Sequence, residues 1–198
     1  MKDESELVKI VRPVDDDDHV LGPQSASVTL VEYGDYECIY CRQLHPIIRE
    51  VLRRTEGLRF VYRHFPISKV HPHAARAAQA AEAAAAQGRF WEMHDVLFEQ
   101  DQLLDDDQLA RCARKAGLDM ERYTTEMGAD AYAGKVAKDF TAAMFVGQVT
   151  ATPTLYLNGR HRSDIQGVTG LLAAVTEAGA TLHVNFNGWP KWRSRLRK

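Results

Sequence analysis

Residues 28–41 read Val28-Thr29-Leu30-Val31-Glu32-Tyr33-Gly34-Asp35-Tyr36-Glu37-Cys38-Ile39-Tyr40-Cys41. The first six form an apolar, β-branched run carrying one acid, Glu32, and predict a strand over 28–33. From Ile39 the period changes. Cys41, Leu44, Ile48, Val51 and Leu52 recur at helical spacing as far as about Arg54, so a helix opens at the cysteine pair with Cys41 on its core face. Cys38 stands at the helix start, where it is expected to face solvent. Unpaired N–H groups and the positive end of the helix dipole favour a thiolate there, and the thiolate is the form that attacks sulfur. A bare Cys-x-x-Cys says little, but one that opens a helix after a strand points to thiol–disulfide exchange. Pro46, inside the helix, removes one ladder hydrogen bond and is expected to kink the axis.

Working outward, Leu58–Phe65 predicts a second strand that stops at Pro66, and strand–helix–strand implies two parallel strands with a right-handed crossover. From His71 to Gly147 the pattern is helical. Residues 74–86 are alanine-rich, Phe90, Trp91, His94, Leu97 and Phe98 form an apolar stripe, and Asp105–Asp107 open a helix that Gly117 closes. Short and long helices follow over 119–126 and about 130–146, the latter with Tyr132, Val136, Phe140, Ala143 and Met144 on one face. Thr152–Leu157 is extended, Asn158-Gly159 is a hairpin turn, Arg160–Gln166 returns, and a last helix covers 168–178. The fold class is α/β: a mixed sheet flanked by helices, with a helical insertion. The expected division is an extension (1–24), a sheet domain (25–66 and 150–180), a helical insertion (67–149) and a basic tail (181–198).

Composition narrows the function. The 198 residues carry a net charge of −2, which disfavours a general nucleic-acid binder. No run approaches the roughly 20 apolar residues of a membrane span. Met1–Glu6 is charged and lacks the apolar run of a secretory signal, so a cytoplasmic location is expected, where a catalytic disulfide is more plausible than a structural one. The three cysteines make no disulfide framework. Asp15–Asp18 reads as a solvated loop rather than a metal site. Trp189–Lys198, with five basic residues and two tryptophans, reads as a surface or packing segment, or a contact for an acidic partner.

Together these residues resemble the thioredoxin superfamily in its DsbA-like branch. The resemblance rests on Val31–Cys41, Arg63-His64-Phe65-Pro66, the helix start His71–Ala77, Phe90-Trp91-Glu92-Met93-His94, Thr152-Pro153-Thr154 and Asn158-Gly159, and it covers about residues 19–179. It implies a thioredoxin-like fold and a thiol–disulfide oxidoreductase in which Cys38 attacks and Cys41 resolves. It further implies that Pro153 is cis, that the Thr152 backbone pairs with an extended substrate, with Ile39 and Tyr40 beside it, and that Glu32, directly or through a water, exchanges a proton with Cys41. The implied partners are protein thiols or disulfides and a redox partner. No cofactor is expected, although glutathione is a candidate reductant. Ile39-Tyr40 replaces the Pro-His of strongly oxidising members. With that histidine missing and Glu32, Asp35 and Glu37 nearby, Cys38 is expected to be less acidic than theirs and the disulfide less oxidising.

Other chemistries use similar residues. Zinc could take Cys38, Cys41 and His45 with His71 or His73, but structural sites normally draw on two ligand pairs and only one cysteine pair exists. A redox-sensing, partner-binding protein and a glutathione-dependent isomerase or transferase are the remaining alternatives. Cys112 and His94 read as core residues. His64, His71 and His73 border the site without an assigned role. Substrate, direction of exchange and oligomeric state are left open.

Overall fold

The computed structural model describes residues 11–101 and 103–183. Most of the basic tail and the first ten residues of the extension lie outside them.

Fourteen elements are described: β1 (His19–Leu21), β2 (Val28–Gly34), α1 (Ile39–Arg54), β3 (Thr55–Glu56), β4 (Leu58–His64), α2 (Ala74–Ala85), α3 (Phe90–Phe98), α4 (Asp106–Ala116), α5 (Met120–Gly128), α6 (Ala133–Phe145), β5 (Thr154–Leu157), β6 (Arg160–Arg162), α7 (Gly167–Glu177) and β7 (Thr181–Leu182). The main sheet runs β1-β4-β2-β5-β6. β2 and β4 are parallel, from Val28 beside Leu58 to Gly34 beside His64, and β1 and β5 run antiparallel to them. The β5–β6 hairpin turns through Asn158 and Gly159, at φ 47° and 82°; a two-residue turn with both φ values positive matches the strand twist, and Asn-Gly adopts it readily.

Side chains alternate across this sheet and divide the core. Leu30, Phe60, Tyr62, Leu155 and Leu157 face one side, in a cluster shared with α1, α2, α3 and α7. Val31, Tyr33, Val61 and Tyr156 face the other, against Ala143 and Phe140 of α6 and the Val149 that follows. α1 buries Cys41, Ile48, Val51 and Leu52 as its periodicity predicts, together with His45, and continues through Pro46. The helices α2–α6 fill the span between Pro66 and the Thr152-Pro153 segment. Among the described residues no helix is long and apolar enough to cross a membrane.

Four features differ from the sequence reading. The segment taken as an extension contributes a sheet strand, β1, whose three residues are too few to carry a periodic signal. Asp15–Asp18 is not uniformly solvated: Asp15 and Asp17 make surface pairs with Arg12 and Lys138, but the Asp18 side chain is fully buried. Both its oxygens take the Arg63 guanidinium, at 2.8 Å from Nε and 2.7 Å from Nη2, and Arg63 Nη1 also donates to the Tyr33 hydroxyl at 2.9 Å. The returning strand ends at Arg162 rather than Gln166, and Thr181–Leu182, assigned to the tail, pairs with β3.

On the opposite face of the β1–β4 pair, His19 Nε2 and His64 Nε2 share one oxygen of Glu82, at 2.7 and 2.8 Å. Neighbouring residues at the start of β1 and the end of β4, Asp18-His19 and Arg63-His64, therefore clamp the edge strand from both sides. Asp18→Asn leaves Arg63 charged and buried with half its partner, and costs about 3–5 kcal/mol of unfolding free energy. Asp17→Asn, at the exposed pair, leaves stability unchanged; urea unfolding of the two variants separates them.

Candidate active site

The site assembles where β2 ends and α1 begins. Asp35 shapes the connection. Its Oδ1 accepts the Glu37 N–H at 2.8 Å, and its carbonyl accepts the Cys38 N–H at 3.1 Å. Asp35 Oδ2 accepts the Ile67 N–H and faces His71 Nδ1, both at 2.8 Å, while Glu37 accepts the His73 N–H at 2.7 Å and faces His73 Nδ1 at 3.0 Å. The turn before the cysteines is thus fastened to the segment that leads into α2. Sequence reasoning used these acids only as charges. Their spacing, two residues apart opposite two histidines two residues apart, was the available signal.

Cys38 is the N-cap of α1, with extended backbone at φ −72° and ψ 121°. It is 5 % exposed, not solvent-facing as expected. The exposed side chains are its neighbours Ile39 and Tyr40, at 50 % and 66 %. The reason is the loop opposite: the Thr152–Pro153 peptide is cis, and the Cys38 thiol donates to the Thr152 carbonyl at 3.3 Å. Cys38 belongs to the apolar cluster under α1, and the Thr152 carbonyl is the polar group that meets its sulfur. Cys41 is completely buried behind it, and both are free thiols.

The two thiols differ sharply in acidity. A hydrogen bond from the Cys41 thiol, aided by the N–H groups of Cys41 and Tyr40, draws Cys38 down to about 5 against the opposing effect of burial. Cys41 is pushed well above the thiol range, first by burial and then by the hydrogen bond it gives to Cys38. Burial pushes Glu32 up to about 8, opposed by a hydrogen bond with Cys41, and its Oε1 has no hydrogen-bond partner. The expectation that three acids hold Cys38 up therefore needs correction. Asp35 and Glu37 are turned onto backbone N–H groups and histidines, and Glu32 is neutral at pH 7.

The remaining sequence candidates separate. His45 is buried, with Nε2 3.3 Å from Asp95; His71 and His73 are turned onto Asp35 and Glu37. None of the three joins the cysteines as a zinc ligand set, and the group of potential ligands that does converge among the described residues is His19, His64 and Glu82. His94 is a packed residue, its Nδ1 3.1 Å from the Tyr36 hydroxyl, and Cys112 is buried in the core.

Residues 15–177 match the family model described as Thioredoxin. This chain belongs to the thioredoxin family. Its fold is that of the DsbA-like members: the oxidised BdbD of Bacillus subtilis superposes with a TM-score of 0.75 at 22% identity, over 86% of this chain and 97% of that one. A thioredoxin-like oxidoreductase from Silicibacter pomeroyi DSS-3 gives 0.73 at 29% identity, over 83% and 93%. A curated Salinispora tropica relative named Na(+)/H(+) antiporter NhaA 3 is 43% identical over 92% of this chain, which spans only 28% of that protein's length.

Glu32 gives the thioredoxin-family chain a distinctive stability profile. Its pKa is raised on folding from 4.5 to about 8, so the folded state holds a proton that the unfolded state releases across that interval. The contribution is fully present below the lower value and gone above the upper one. Glu32→Gln removes it. The stability difference between variant and wild type therefore grows from pH 5 to pH 8 in favour of the variant and stays flat beyond, as read from unfolding midpoints.

Proposed function

We propose that this chain is a thiol–disulfide oxidoreductase in which Cys38 is the attacking and leaving sulfur and Cys41 the resolving one. The observation that carries this reading is the asymmetry of the pair: one thiol lowered to about 5 at a helix N-terminus, beside a buried partner shifted the opposite way. In the reductive direction the Cys38 thiolate attacks a substrate disulfide and expels one substrate thiolate, leaving a mixed disulfide. Where Glu32 is in its ionised form, Cys41 gives its proton to that carboxylate and attacks Cys38 sulfur. That step expels the second substrate thiolate and closes the Cys38–Cys41 disulfide.

Oxidation of a dithiol substrate runs the same steps backwards. A substrate thiolate opens the Cys38–Cys41 bond, and Glu32 protonates the departing Cys41. The second substrate thiolate then expels Cys38, whose low pKa makes it a good leaving group. The Thr152 backbone, beside the cis bond, offers edge hydrogen bonds to an extended substrate segment, and Ile39 and Tyr40 give that segment apolar contact. Compartment sets direction. In a glutathione-buffered cytoplasm the pair is held reduced, with glutathione as the reductant. The insertion, 67–149, shares the core of the sheet and acts as a cap that walls the site through the Asp35–His71 and Glu37–His73 contacts.

A second reading is favoured by the antiporter relatives. In it the chain is a sensor whose thiol state governs association with a membrane ion transporter. Slow turnover of general disulfides with redox-dependent binding of a transporter would select this reading; ready turnover selects exchange catalysis.

Three measurements test the enzyme. Alkylation of the reduced protein should modify Cys38 alone, with a rate that rises through about pH 5. Cys38→Ser should abolish exchange and Cys41→Ser should accumulate mixed disulfides; wild-type activity in Cys38→Ser would remove the assignment. Because a thiol near 5 lies between those of thioredoxin (about 7) and DsbA (about 3.5), the potential should fall between their values of about −270 and −120 mV. Equilibration with glutathione reads it.

A further inference from the structure

We propose that Tyr62 is a positioning residue for the proton held by Glu32, donating its hydroxyl to that carboxylate whenever the carboxylate is charged. The inference rests on the exchange reading above and adds to it the group that controls the resolving half-reaction.

The parallel register sets Glu32 directly beside Tyr62 on the central strands β2 and β4, and both belong to the sheet face covered by α1 and α3. Both side chains are buried. Glu32 Oε1 and the Tyr62 hydroxyl each lack a hydrogen-bond partner, although buried polar atoms in folded proteins are nearly always paired. The two are complementary, since a carboxylate accepts and a phenol donates.

Gly34 shows that the position of the Tyr62 ring tip is built in. A Cβ at Gly34 would lie 2.5 Å from a ring carbon of Tyr62 and 2.8 Å from its hydroxyl. The bare backbone at the end of β2 is what lets the phenol lie there. His94 holds the ring edge-on at 4.5 Å between centroids, and Tyr36 packs at 5.4 Å.

Other titratable groups face this pair from each neighbouring element, and most are committed. α1 presents two free thiols, Cys38, which faces the Thr152 carbonyl, and Cys41, which shares its one proton between Cys38 and Glu32. The turn after β2 presents Asp35, occupied by Glu37, Ile67 and His71, and Tyr36, whose hydroxyl meets His94 of α3. His64 on β4 directs Nε2 to Glu82, and β5 offers only Leu155 opposite Glu32. Two groups on the strand beside Glu32 lack a hydrogen-bond partner, the Tyr62 hydroxyl and His64 Nδ1; Tyr62 is the one in register with Glu32, and its hydroxyl also neighbours that of Tyr36. The phenol itself stays neutral, since burial pushes it well above the usual tyrosine range.

While Glu32 is protonated the contact is dispensable. It matters when Cys41 must lose a proton. Glu32 can take that proton only from its charged form, and a donor to that form raises its population.

The test uses the intact protein in its disulfide form, where neither thiol titrates, with carbon-13 NMR of the Glu32 carboxyl and the Tyr62 ring. Tyr62→Phe should raise the Glu32 midpoint by about one pH unit or more, the size expected for a lost hydrogen bond to a charged group. In single-turnover reduction of a disulfide peptide, release from the mixed disulfide should slow about tenfold at pH 7, matching that shift. Initial attack by Cys38 should keep its rate. In a Glu32→Gln background, Tyr62→Phe should leave the pH profile of release unmoved. An unshifted Glu32 midpoint in Tyr62→Phe overturns the proposal. If that variant does not fold, the wild-type protein decides: the Tyr62 ring carbon must move with the Glu32 titration, and a flat signal overturns the proposal equally. Failure of the exchange reading has a different signature, the absence of any mixed disulfide at Cys38.

Discussion

Two sulfurs at the first turn of one helix share a single negative charge, and the hydrogen bond between them decides which one carries it. The rest of the site follows from that constraint. If Cys41 donates, Cys38 gains a donor in addition to the N–H groups of the helix start, and its thiolate is held near pH 5 despite burial. Donation also makes the Cys41 proton harder to remove, so the second sulfur cannot act until something takes that proton. The proposed exchange therefore calls for a buried group within reach of Cys41, and Glu32 in the middle of β2 is the candidate.

The fold meets the geometric demands of this arrangement by tying together segments far apart in sequence. The Thr152 carbonyl must lie against a sulfur 114 residues earlier. β5, which follows that loop directly, pairs beside β2, so the sheet register fixes how closely the two can meet. The preceding turn is fastened through Asp35 and Glu37 to the entrance of α2, so α1 cannot shift without disturbing the insertion. Across the sheet, the edge strand is held by Asp18–Arg63 on one face and by His19, His64 and Glu82 on the other. Polar groups buried this deeply stabilise the fold only when their partners are in place, which explains why so many are arranged in reciprocal pairs.

Much of this was legible in the chain, and the failures share a cause. The β2–α1–β4 unit announces itself through a change of period at Ile39, and the helix opened by Asp105 ends at Gly117 as the residues say. The Asn158-Gly159 turn was equally plain. The placement of Thr152-Pro153 against Cys38 came only from resemblance, because nothing local in a Thr-Pro dipeptide chooses its neighbour. Asp18 was misread because its burial depends on Arg63, 45 residues later, and a run of four aspartates looks alike until one finds a partner. The burial of Cys38 was missed for a related reason. Helical periodicity gives the face of a side chain but not what another loop lays over it. The pairing of Glu32 with Tyr62 was within reach once the parallel register was fixed, but strand hydropathy hides a tyrosine whose hydroxyl is the informative atom.

The acids around the cysteines show why charge cannot be summed from sequence. Three carboxylates within six residues of Cys38 should oppose a thiolate, yet each is removed from the balance by a different means. Asp35 and Glu37 spend their charge on N–H groups and imidazoles. Glu32 is neutralised by its own burial, which makes the neutral acid the cheaper state until about pH 8. An acid that is uncharged beside a charged sulfur removes the repulsion that would raise the thiol. The same burial therefore both permits the acidic Cys38 and keeps a proton in store for Cys41. Above pH 8 the two roles separate: Glu32 ionises, its charge acts against the Cys38 thiolate, and the balance between the two sulfurs tightens. The reactivity of the pair is thus set by a depth of burial, a property of the whole sheet rather than of the four residues that name the motif.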